Sequence, residues 1–81
     1  MELSNADIRE VKISVPPGHR HLRTAIRLGN GDEIVLQEAT VANLVRAYVT
    51  IKTHPQKVSV RLRGVELKER KEGFADWQLL E

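Results

Sequence analysis

Two runs of the chain alternate apolar and polar side chains with a period of two: Leu22-Arg23-Thr24-Ala25-Ile26-Arg27-Leu28 and Val58-Ser59-Val60-Arg61-Leu62-Arg63. A period of two is that of a β-strand, in which successive side chains point to opposite faces of a sheet. In the first run Leu22, Thr24, Ile26 and Leu28 share one face, with Arg23, Ala25 and Arg27 on the other. In the second, Val58, Val60 and Leu62 oppose Ser59, Arg61 and Arg63. A slip of one residue would carry every apolar side chain into water, so the pattern specifies half-buried strands.

The remaining elements follow from the same kind of reading. Glu10–Val15 alternates with Val11, Ile13 and Val15 on one face, and Pro16-Pro17-Gly18 ends that strand by removing ladder donors. Gly29-Asn30-Gly31-Asp32 suits a tight reversal between strands. The next strand is 33–37, with Ile34 and Leu36 toward the core. Thr40 is placed to cap a helix in which Val41, Leu44, Val45, Tyr48 and Val49 form a buried stripe and Asn43, Arg46, Ala47 and Thr50 turn outward. Pro55 stops that helix. Beyond 58–63 the apolar parity changes at Val65 and Leu67, which makes Arg63-Gly64 a bulge or turn. A charged connection over 68–73 leads to a closing strand over 74–80, which the period alone does not separate from a short helix.

Length and composition bound the fold. Eighty-one residues bury only about 60–65% of their unfolded surface, so every element must serve a single core. The expected organisation is a loosely ordered N-terminus over residues 1–9, with one helical turn at Ser4 or Asn5, followed by a single domain over 10–81. With 41% hydrophobic and 30% charged residues the composition is globular rather than disordered. The absence of cysteine excludes a disulfide framework or thiolate zinc site. No run approaches the roughly 20 apolar residues that span a bilayer, and the first residues lack a signal-peptide pattern. A cytoplasmic protein without membrane contact is expected.

The resulting class is α+β, a mostly antiparallel sheet with one helix packed on one face, in the order β-β-β-α-β-β. From residue 22 onward the layout resembles a β-grasp, the arrangement of the ubiquitin-like proteins. A hairpin is followed by a helix opening Thr40-Val41-Ala42-Asn43-Leu44-Val45, a strand Gln56-Lys57-Val58-Ser59-Val60-Arg61-Leu62, a Gly64 turn, a short Val65-Glu66-Leu67 run and a closing strand. The resemblance concerns architecture and implies no activity.

Net charge is only +2, but residues 20–63 hold eight basic groups against three acids. Arg23, Arg27, Arg61 and Arg63 form a candidate binding face if the two alternating strands lie side by side, since guanidinium forks fit oxyanions. Solvated arginines on the wet side of a half-exposed sheet are the plainer reading. With one Phe, one Tyr and one Trp, the chain lacks the stacking platforms common in single-strand binders. His19, His21 and His54 are the only imidazoles, a thin basis for a metal site, and no metal or cofactor is expected. Ser4, Ser14 and Ser59 have no activated context, and Gly29-Asn30-Gly31 joins strands rather than opening a phosphate-binding helix. Trp77 belongs in the core of so small a domain, the alternative being an exposed anchor for a partner. The expectation is a non-enzymatic module that binds a protein partner or itself through an open sheet face or edge strand. The alternative is weak binding of nucleic acid or anionic ligands by the four arginines.

Overall fold

The computed structural model describes residues 1–69, 72 and 75–81, in two compact units, Met1–Glu38 and Ala39–Glu81. The element order is β-β-β-α-β-β after a short 3-10 turn, and the class is α+β, as the patterning requires. The strands fall into two antiparallel sheets rather than one.

The first unit holds the 3-10 turn Asn5–Asp7 and the strands β1 (Ile8–Ser14), β2 (Arg23–Leu28) and β3 (Glu33–Gln37), with β2 in the centre. The 3-10 turn and the start of β1 lie within the N-terminal stretch 1–9. Ser4 caps the turn reciprocally, its hydroxyl accepting from the Ala6 amide at 3.2 Å while Asp7 accepts from the Ser4 amide at 2.8 Å. The Gly29 amide then donates to the Asp7 carbonyl at 2.9 Å, tying the turn to the hairpin. Between β2 and β3 the Asn30 side chain accepts from the Asp32 amide at 2.9 Å, and Gly31 takes φ +96. That left-handed conformation is one a Cβ resists, by roughly 1–2 kcal/mol. Gly31→Ala should therefore lower stability by about that amount, read as a lower urea midpoint at unchanged m-value, because open space around the residue leaves backbone strain as the cause.

The second unit holds α1 (Glu38–Thr53, its first residue belonging to the first unit), β4 (Arg63–Glu66) and β5 (Trp77–Leu80). The helix begins at Glu38, two residues before the expected Thr40 cap, and Glu38 places an acid in its first turn. Residues 58–62 form no ladder. The register pairs 63–66 with 77–80, which leaves 58–62 without a backbone partner among the described residues. Their alternation persists as burial, with Val60 and Leu62 half-buried and Ser59 and Arg61 exposed. Gly64 is not a bulge or turn but an interior residue of β4, without positive φ, and its missing Cβ leaves the Trp77 ring 3.9 Å from that position. Trp77 lies on the surface, 59% exposed, rather than in a core. The closing strand is confirmed over 77–80, whereas Gly73, Phe74 and the basic pair at 70–71 lie outside the described residues.

The helix in this unit is turned opposite to expectation. Asn43 is buried, and Ala47 and Thr50 are half-buried, whereas Leu44, Val45, Tyr48 and Val49 are exposed. The reason lies in β5. Its outer edge carries the Leu79 amide, which donates to Asn43 Oδ1 at 3.0 Å, and an edge donor left without an acceptor is costly. The small Ala47 side chain and Thr50 belong to the same turned-in side, beside Val60, Leu62 and Leu79.

Candidate functional site

The cross-strand register of the first unit sorts its side chains into two faces. Val11, Ile26 and Ile34 stand opposite one another across β1, β2 and β3, followed by Ile13, Thr24 and Leu36. Ile8 and Leu28 continue the row, because a register shift at Arg9 lets Ile8 join the face of Val11 and Ile13 despite the change of parity. One face of the sheet is thus entirely apolar apart from Thr24. In a packed sheet such a row is the core side, yet here Ile13 is 64% exposed and Val11 and Ile34 are both exposed. Leu28, 6% exposed, is the one buried apolar residue among the described residues.

The opposite face mixes charges. Arg27 lies between Glu10 on β1 and Glu33 on β3, with Arg27 Nη2 3.9 Å from the Glu33 carboxylate. Arg23 is flanked by Ser14 and Gln37 and donates from Nη1 to the Leu22 carbonyl at 3.1 Å. Both edges of β2 are occupied, so the side-by-side pairing with 58–63 that would join all four arginines is not made. Arg61 precedes β4 and Arg63 opens it, both exposed, in the second unit. Arg23 and Arg27 thus stand on β2, whereas Arg63 opens β4 and Arg61 precedes it.

The second unit presents its own apolar stripe, Leu44, Val45, Tyr48 and Val49 along α1. Lys52 Nζ stands 5.9 Å from the Tyr48 ring centroid, a weak cation–π contact one turn further on. On the covered side of the helix a shallow cleft of about 150 Å³ lies against Val60, Leu62 and Leu79. That is smaller than the roughly 300–1,000 Å³ of a small-molecule pocket.

No group of three metal-ligating side chains occurs among the described residues. His21 Nδ1 sits 2.8 Å from Glu38 Oε2, an exposed pair at the end of the first unit. The His54 ring faces the Thr50 carbonyl at 3.0 Å, close to the C-terminus of α1. Ser14 ends β1, Ser59 lies in the segment before β4, and Ser4 acts as a cap. Among the described residues no helix is long and apolar enough to cross a membrane.

Two contributors escaped the sequence reading. Asn43 reads as an outward polar residue on a helix, and nothing local signals its bond to a strand thirty-six residues away. Ile8 has the wrong parity for β1 until the bulge at Arg9 is known. Comparison of the chain with protein-family models, with curated proteins and with solved structures gave no match.

Proposed function

We propose that this chain is a small non-enzymatic interaction module, which binds a protein partner or itself through the apolar face of its three-stranded sheet. The observation that carries this reading is the exposed row Val11, Ile13 and Ile34 on a face with no charged side chain. Contiguous exposed apolar surface on a small protein marks contact with another macromolecule. The competing anion-binding reading is weakened by the pairing of Arg27 with Glu33 and by the lack of strand pairing between β2, which carries Arg23 and Arg27, and β4, which Arg63 opens.

The test is a paired titration. Self-association, followed by sedimentation, and capture of partner protein should persist into high salt and be lost in an Ile13→Glu/Ile34→Glu variant that keeps its far-UV circular dichroism. Burial of an unpaired carboxylate is the cause of that loss. Micromolar binding of RNA or DNA that falls steeply with salt and disappears when Arg23, Arg27, Arg61 and Arg63 are all changed to alanine would replace this reading with the anionic one.

A further inference from the structure

We infer that Asn30 is a site of spontaneous covalent modification, converted to aspartate and isoaspartate when the reversal between β2 and β3 opens and protected while that reversal is closed. The inference lies beyond the interaction-module reading and does not depend on it.

The chemistry belongs to the Asn30-Gly31 pair. The backbone nitrogen of the residue after an asparagine can reach the side-chain amide carbon and close a five-membered ring. The Gly31 nitrogen loses its proton to water and bonds to Asn30 Cγ, and the bond from Cγ to Nδ2 breaks, releasing ammonia. The cyclic imide then takes up water. Hydrolysis of its Cγ–N bond gives aspartate, and hydrolysis of its backbone C–N bond gives isoaspartate, with the chain routed through Cβ and Cγ. Glycine favours the closure because it has no Cβ to crowd the attacking nitrogen and its backbone turns freely. Asn5 precedes Ala6 and Asn43 precedes Leu44, so Asn30 alone has a glycine after it.

In the closed reversal, hydrogen bonds within the first unit occupy every reacting group. The Gly31 amide donates to the Leu28 carbonyl at 3.0 Å, which engages the proton that must leave and pins the peptide plane that must rotate. The Asn30 amide is held at both ends by Asp32. Its Oδ1 accepts from the Asp32 backbone amide at 2.9 Å, and its Nδ2 donates to the Asp32 carboxylate at 3.1 Å. Ring closure therefore requires Gly31 to leave Leu28 and the side chain to turn away from Asp32. When opening and closing are fast beside the chemistry, conversion follows the population of the open reversal.

Neither product restores the reversal. Aspartate lacks the Nδ2 donor and sets a second carboxylate against that of Asp32, where like charges repel. Isoaspartate lengthens the backbone by one carbon inside the loop that the Leu28 amide closes on the Asp32 carbonyl at 2.8 Å. The change is one-way, and each converted chain opens more readily than before.

The test incubates the chain at neutral pH, folded and in guanidinium chloride, and follows the tryptic peptide Leu28–Arg46 by mass spectrometry. Replacement of NH by O raises its mass, and fragmentation assigns the gain to Asn30 or to Asn43, the internal control. In denaturant Asn30 should convert well ahead of Asn43. In the folded chain its rate should fall by about tenfold to a hundredfold, since each hydrogen bond that must open contributes a factor of about five. Asp32→Ala, with its fold checked by circular dichroism, should convert several times faster than the parent when folded and at the parent rate in denaturant. Equal parent rates in the folded chain and in denaturant overturn the protection, and no excess at Asn30 over Asn43 in denaturant overturns the site. A folded Asp32→Ala chain that converts at the parent rate overturns the part given to Asp32. Asn30→Asp reproduces one product and keeps the loosening testable should Asp32→Ala fail to fold. Its urea midpoint should be lower than the parent's, and an unchanged midpoint overturns the one-way effect.

Discussion

Leu28→Ala is expected to lower the stability of this protein by about 2–5 kcal/mol, the usual range for a Leu truncated in a packed site. Leu28 is 6% exposed and stands at the junction of three local structures. It pairs with Ile8 on β1, its amide donates to the Asp32 carbonyl at 2.8 Å, and its carbonyl accepts from Gly31 at 3.0 Å. The truncation would leave a void under the hairpin that the Asn30–Asp32 turn, held by its own hydrogen bonds, cannot easily fill. A chain of this size has roughly 4–12 kcal/mol of total stability, so the change removes a large part of it. Urea denaturation at one fixed protein concentration measures the loss. A change below about half a kcal/mol, typical of surface positions, would show that Leu28 anchors nothing.

The second large effect is expected at Asn43. Asn43→Ala removes the acceptor of the Leu79 amide and leaves an edge donor of β5 in a partly buried place, at a cost of about 1–3 kcal/mol. Asn43→Asp keeps an acceptor oxygen at the same reach and should retain more of the stability than alanine does. Hydrogen exchange supplies the specific readout. The Leu79 amide should exchange faster in Asn43→Ala, while amides of the first unit, such as that of Leu28, should not change. Equal acceleration across both units would show a general loss of stability rather than the loss of this bond.

How much was legible along the chain can be argued from these same residues. β3 was readable to its ends, and so was the Gly29-Asn30-Gly31-Asp32 reversal, because both depend on side chains and backbone torsions within a few residues. The apolar row of β2 was readable for the same reason. The reading of 58–62 as a strand went too far, since alternation sets which side chains turn inward and cannot supply a backbone partner. The candidate arginine face depended on a neighbour relation between strands, and hydrogen bonding gave β2 two other neighbours. Trp77 was assigned to a core because large side chains ordinarily fill one, yet in its short strand it lies over Gly64 and remains on the surface.

The helix shows the division most plainly. Its existence and its apolar stripe follow from spacing alone, for Val41, Leu44, Val45, Tyr48 and Val49 recur at the helical period and Pro55 ends the run. Which side of it is covered does not follow. That choice depends on the unpaired amide of Leu79, thirty-six residues beyond Asn43, and on the small side chain of Ala47. Periodicity records what each residue prefers within a turn or a pleat. It does not record which distant backbone group lacks a partner, and in this protein that need turned Asn43 inward and left the apolar stripe exposed.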